Sequence, residues 1–177
     1  YRQINKVRVL NKVGIPEGTN PINFDITSVF DEGAFNINFF TPSNEYWVTE
    51  ERTQLGKKLF YDNILSGTKT RNCSSCHLPE KAFTDGLKTS IAIDNKTPLL
   101  RNSPTLLNAG FQTKFFYDSR VSILEGQLNA VIHSAEEMKG SLTENVTDLK
   151  KIQSYVDLFE KAYPNEPEPL TAYTIIN

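Results

Sequence analysis

Cys73-Ser-Ser-Cys76-His77 is the stretch of this 177-residue chain best equipped for chemistry. Two thiols about one helical turn apart can each add to a vinyl group on the same edge of a porphyrin, and the imidazole that follows can reach the iron as an axial ligand. Two other chemistries use paired cysteines. A zinc site needs two more soft ligands, but Cys73 and Cys76 are the only cysteines and His133 is the only other histidine. A redox dithiol has no use for the trailing His77, and no strand-loop-helix pattern surrounds the motif. Covalent attachment of haem, as haem c with His77 on the iron, is the reading that uses all three residues.

The elements that must hold this motif read as helices. From Thr49 onward Leu55, Leu59 and Phe60 share one helical face, with Arg52, Lys57 and Lys58 elsewhere and Thr49 or Ser43 available as a cap. The motif itself predicts a short helix over 72–77. Helical periodicity returns over 122–132 and again across 146–163, where Leu149, Ile152, Tyr155, Val156 and Phe159 form a core stripe. Residues 79–104 read mostly as loop, broken by Pro79, Gly86, Pro98 and Pro104. No segment sustains a period of two. The predicted fold is therefore mostly α, a cytochrome c-like helical haem domain with a loop-rich N-terminal arm.

Three segments follow from this reading. Residues 1–44, punctuated by Gly14-Ile-Pro16 and Gly18-Thr-Asn20-Pro21, form an irregular extension. Residues 45–169 form the haem domain, ending in a stiff connector at Pro164, Pro167 and Pro169. Residues 170–177 look like the start of a truncated helix leading towards a missing domain.

The hydrophobic fraction of 38% and charged fraction of 23% suit one well-cored soluble domain. A formal charge of −2 argues against nucleic acid and against an anionic membrane surface. No apolar run approaches the length of a membrane span. Haem is attached to this motif outside the cytoplasm, so the expected location is the bacterial periplasm or cell surface, with any export signal removed.

The flanking blocks narrow the class. Leu55-Gly-Lys-Lys-Leu-Phe60-Tyr-Asp62, Leu65-Ser-Gly67, the haem motif and Ala82-Phe-Thr-Asp-Gly86 come in that order. Arg101-Asn-Ser-Pro-Thr-Leu-Leu-Asn108, Phe115-Phe-Tyr-Asp-Ser-Arg120, Leu124-Glu-Gly-Gln127 and Glu136-Glu-Met138 follow. From about residue 50 this series resembles bacterial di-haem cytochrome c peroxidases and their methylamine-utilisation relatives. The earlier Phe30-Asp-Glu-Gly33 and Phe39-Phe-Thr-Pro42 look like the segment preceding the haem domain in some larger members.

The resemblance implies the peroxidatic half of an enzyme whose second haem domain supplies electrons. Its distal acid–base glutamate matches Glu137, and its peroxide-binding amide matches Gln127; the alternative for Glu136 and Glu137 is a solvated acidic pair. Tyr117 occupies the place of an aromatic, usually tryptophan, between the two haems; it is either an electron relay or a core aromatic beside Phe115 and Phe116. Asn102 matches an asparagine that helps hold calcium between the domains. Arg101 and Arg120 are candidates for the haem propionates. Many relatives carry a histidine after Phe-Thr-Asp-Gly that caps the resting iron, and the stretch Ser90-Ile-Ala-Ile-Asp-Asn-Lys-Thr97 has none. The implied iron is open without prior reduction of a partner haem. His133 reads as a structural residue rather than a ligand.

Two functions compete. The first is reduction of hydrogen peroxide to water with electrons from a small soluble donor protein through a second haem domain of the same chain. The second is a mono-haem electron carrier with His77 and Met138 as axial ligands. A sensor, or an oxidant of a protein substrate, is a third use of the same site.

Overall fold

The computed structural model describes residues 20–23, 26–41 and 43–177. Five α-helices are seen among them: α1 Glu50–Tyr61, α2 Leu124–His133, α3 Leu142–Leu149, α4 Gln153–Ala162 and α5 Ala172–Ile176. Short 3-10 turns connect these, and β-structure among the described residues is limited to isolated bridges. The fold is mostly helical, as the periodicity predicts. Among the described residues no helix is long and apolar enough to cross a membrane.

The contacts divide the chain into two compact units, one of Tyr1–Val48 with Gly110–Gln112 and one of Thr49–Ala109 with Thr113–Asn177. In the described part of the first, Asn23 N–H donates to Ala34 O at 2.9 Å and Asn36 N–H to Pro21 O at 2.9 Å. Phe111 packs there against Phe35 and Phe40, with ring centroids 5.4 and 5.2 Å away. The Gly14-Ile-Pro16 stretch and Gly18 lie outside the described residues.

The second unit holds the helical core. Thr49, rather than Ser43, caps α1: its Oγ1 accepts from Arg52 N–H at 3.2 Å. Glu50 and Glu51 in the first turn and Lys58 in the last complement the helix dipole. Leu55 and Leu59 are buried, and α1 packs against α4.

The apolar stretch at 146–163 is not one helix. It opens earlier, at Leu142 behind the Ser141 N-cap, and breaks between α3 and α4. On a continuous helix Leu149, Ile152 and Val156 would share a face. The break turns α4 so that Tyr155 and Phe159 enter the core beside Leu149 instead. Ile152 becomes the N-cap of α4 and is 40% exposed, not a core residue.

Two polar bonds fix the turn after α1. Tyr155 OH donates to Asp62 Oδ2 at 2.7 Å, and Asn145 Nδ2 to Ile64 O at 2.8 Å. The predicted opening helix at 170–177 is α5, begun by a Thr171–Thr174 capping box. Leu170 and Ile175 fold back into the core with Leu55, Leu65 and Phe159.

Candidate functional site

The predicted helix over 72–77 is a single 3-10 turn, Cys73–Ser75, packed against α1. Ser74 and Ser75 hydroxyls donate to Asn72 Oδ1 at 2.7 and 3.2 Å, and Asn72 Nδ2 donates to Tyr61 O at 2.9 Å. The turn is thus tied to the C-terminal end of α1. Cys73 and Cys76 are free thiols, both partly buried. Burial pushes the Cys73 thiol up to about 11. It raises Cys76 too, against the opposing charge of Arg71 and a hydrogen bond from Ser103. Reactive redox dithiols are held well below the ordinary thiol value, so this pair has the wrong electrostatics for that chemistry.

His77 is oriented by the loop that follows it. Its Nδ1 lies 2.9 Å from Phe83 O. A carbonyl can only accept, so Nδ1 carries the proton and Nε2 keeps its lone pair for a metal. The carbonyl is aimed by a tight fold in which Leu78 N–H donates to Thr84 O at 3.0 Å and Phe83 N–H donates to Leu78 O at 2.9 Å. That fold puts Ala82 and Phe83 in the left-handed region, at φ 54° and 57°. Non-glycine residues there are costly, and such strain collects at functional sites.

Glu137 sits on the turn after α2. Ser134 O accepts from both Glu137 N–H, at 3.2 Å, and Lys139 N–H, at 2.8 Å. A second segment braces this turn, since Gly67 N–H donates to Met138 O at 2.9 Å. The backbones come so close that a Cβ on Gly67 would overlap Lys139 O, and one on Gly140 would overlap Leu65 O. Only glycine fits at either position.

Burial raises the pKa of the Glu137 carboxyl; a Ser134 hydrogen bond and the Arg120 charge oppose this, and Glu136 adds to it. The same carboxylate contributes to raising Cys76, so it lies within electrostatic reach of the thiol pair. Glu136, by contrast, is exposed. A carboxyl held above its ordinary range beside a cofactor motif is suited to proton exchange.

The other predicted residues distribute as follows. Gln127 lies on α2, half-buried. Met138 is 4% exposed and belongs to the apolar core with Leu65, Ile132 and Leu142. Tyr117 is 90% exposed, which overturns the core-aromatic alternative. Phe115 takes the core position at 4% exposure, and left-handed Phe116, at φ 60°, turns the chain outward. Arg101 lies over the Tyr117 ring, 5.2 Å from its centroid. Arg120 pairs with both Asp118 oxygens at 2.9 Å and lies 3.6 Å over Phe116. Asn102 is exposed, and the described residues contain no cluster of three or more His, Cys, Asp or Glu suited to a metal ion. His133 is exposed, with Nδ1 donating to Asn129 O at 2.9 Å.

Two site residues escape a reading of the sequence. Arg71 is 8% exposed and Ser103 9%. The motif gives no pattern that would point Arg71 inward, and Ser103 reads only as part of Asn-Ser-Pro.

Two thiols on one turn, with an imidazole whose Nε2 is left free, make a donor set that fits a haem held at two vinyl groups and one axial position. Residues 50–177 match the family described as di-haem cytochrome c peroxidase. The methylamine utilization protein MauG of Methylorubrum extorquens is 36% identical over 125 residues, covering 71% of this chain and 35% of that protein. The cytochrome c551 peroxidase of Pseudomonas aeruginosa is 35% identical over 125 residues, covering 70% and 36%. The crystal structure of a MauG-like protein associated with microbial copper homeostasis superposes with TM-score 0.71 at 32% identity, over 87% of this chain and 43% of that one. The chain spans about a third of the length of these curated relatives. With the match over 50–177 and these relatives, the chain belongs to the di-haem cytochrome c peroxidase family.

Proposed function

We propose that the intact protein reduces hydrogen peroxide to water in the bacterial periplasm or at the cell surface. Electrons come from a small soluble donor protein through a second haem domain of the same chain. The unit of residues 49–109 with 113–177 is the peroxidatic haem domain.

Cys73, Cys76 and His77 would hold haem c, which would supply the electron-transfer chemistry when bound. The chain's own residues do the rest. The bond from His77 Nδ1 to Phe83 O holds the ring in one tautomer and makes it a stronger donor. Glu137 in its ionised form accepts the proton from one peroxide oxygen and returns it to the other, which leaves as water. With two protons from solvent and two electrons, both oxygens end as water. Gln127 donates a hydrogen bond that orients the peroxide. With no histidine in 90–97 to cap it, a haem iron held by His77 would be open without prior reduction of the second haem. Tyr117, with Arg101 over its ring, is the relay on the surface towards the second domain. One of Arg101 and Arg120 would meet a haem propionate, and Asn102 would supply one ligand to a calcium ion.

The observation that carries this reading is the Glu137 carboxyl, raised by burial and within electrostatic reach of the Cys76 thiol. The electron-carrier alternative needs the Met138 sulfur on the iron, whereas that side chain is packed in the apolar core. The test is peroxide-dependent oxidation of a reduced small cytochrome by the full-length, haem-loaded protein. Turnover lost in Glu137→Gln with haem retained supports the reading; wild-type turnover in that variant removes it.

A further inference from the structure

Arg71 is a buried cation whose three hydrogen bonds, among the described residues, all go to neutral acceptors. Nη1 donates to Ile91 O at 2.8 Å, and Nη2 donates to Ala92 O at 2.8 Å and Asn95 Oδ1 at 3.0 Å. Burying a guanidinium is expensive, and a planar fork repays it by holding several acceptors in one fixed geometry. The acceptors here belong to one loop. That loop is also closed on itself, with Ala92 N–H donating to Thr97 O at 2.8 Å and Asn95 N–H to Ala92 O at 2.9 Å.

A further bond of the clamped loop leads to the acid–base turn. Ile93, inside the span that Arg71 grips, donates its N–H to Glu136 O at 2.8 Å. Glu137 is the next residue. The loop is also tied at its start, since Ser90 Oγ lies 2.8 Å from Ser103 Oγ. Arg71 itself precedes Cys73 by two residues. One side chain therefore ties the haem-attachment segment to the loop that braces Glu137.

We infer that Arg71 is a positioning residue for Glu137: its guanidinium fixes residues 91–95, and Ile93 N–H then fixes the backbone from which the Glu137 carboxyl projects. This rests on the peroxidase reading for its catalytic consequence, but its structural half does not. The role belongs to the fork rather than to the charge. Lysine at this position keeps the charge and can reach only part of the acceptor set.

The test is amide hydrogen exchange and peroxide turnover on full-length, haem-loaded protein, comparing wild type, Arg71→Gln, Arg71→Lys and Glu137→Gln. Arg71→Gln is expected to speed exchange at Ile93, Glu137 and Lys139 by about tenfold or more. It should lower kcat/KM for peroxide by roughly tenfold, mostly in kcat, because the carboxyl is misplaced rather than removed. Arg71→Lys should fall between. Should Arg71→Gln fail to fold or load haem, Asn95→Ala removes one acceptor and should shift the same amides in the same direction by less.

Unchanged exchange at Ile93 overturns the inference. So does faster exchange at Ile93 with unaltered turnover, which marks a purely structural clamp. Full rescue by Arg71→Lys overturns the fork as its basis. If Glu137→Gln alone leaves turnover intact, the peroxidase reading fails, while the exchange at Glu137 and Lys139 still judges whether Arg71 controls that turn.

Discussion

The imidazole of His77 donates from Nδ1 to the carbonyl oxygen of Phe83 across 2.9 Å, and that bond determines which ring nitrogen remains for a metal. The left-handed pair Ala82 and Phe83 puts the carbonyl there. His77→Ala should therefore abolish nitrogen ligation of the iron while the Cys73 and Cys76 thioethers keep the porphyrin attached. The ferric and ferrous optical spectra read this directly, and an unchanged spectrum would remove His77 as the ligand.

Glu137→Gln should slow peroxide turnover by roughly two to four orders of magnitude in the haem-loaded, full-length protein. Stability should move the other way. A carboxyl whose folded pKa is raised binds its proton more tightly folded than unfolded, so its contribution is lost as pH rises through that range. At neutral pH the always-neutral glutamine should leave the melting temperature unchanged or higher. Lower activity with no loss of stability separates a functional carboxyl from a structural one.

The pH profile offers an independent check on the same group. As a base Glu137 must be ionised, so kcat/KM should fall on the acid side as pH drops through its raised pKa. The Ser134 hydrogen bond pulls that pKa down. Ser134→Ala should move the acid limb to higher pH, and a shift to lower pH would contradict the assignment.

Gly67→Ala tests the brace beneath the turn. The added methyl meets the Lys139 carbonyl, which is backbone and cannot swing away. A loss of about 1–3 kcal/mol is expected in chemical denaturation, together with slower turnover because Lys139 and Glu137 share one turn. A neutral result would show that the 65–67 and 138–140 segments separate easily.

Tyr117→Ala should change stability by no more than about 0.5 kcal/mol, as befits an exposed side chain. In the full-length protein it should slow electron delivery from the second haem, measured by stopped-flow after reduction of that haem. Undiminished delivery would make Tyr117 a bystander.

Local pattern made the helices and the Cys73–His77 motif legible in the sequence, because a heptad-like stripe and a fixed spacing are both written in neighbouring residues. Where tertiary packing decides, the pattern was silent. The stripe Leu149, Ile152, Tyr155, Val156 and Phe159 does not show the break between α3 and α4, which leaves Ile152 exposed while Leu149, Tyr155 and Phe159 are buried. Nothing within Phe115-Phe116-Tyr117 tells a core aromatic from an exposed one, and only the left-handed backbone at Phe116 separates the buried first from the exposed third. Arg71 and the Phe83 carbonyl belong to the same class, because their partners are set by loops folding onto one another. Glu137 became a site residue through resemblance alone, since an acidic pair by itself reads as solvated surface.

The most direct test of an open peroxidatic site is the ferric spectrum of the haem-loaded, full-length protein, read at the haem of the Cys73–His77 motif before and after cyanide. The expected spectrum is that of a largely high-spin iron, five-coordinate or water-bound, that takes cyanide at once without prior reduction and shows no sulfur-to-iron band. A low-spin spectrum carrying that band, abolished by Met138→Ala, would put methionine on the iron and make this domain an electron carrier instead.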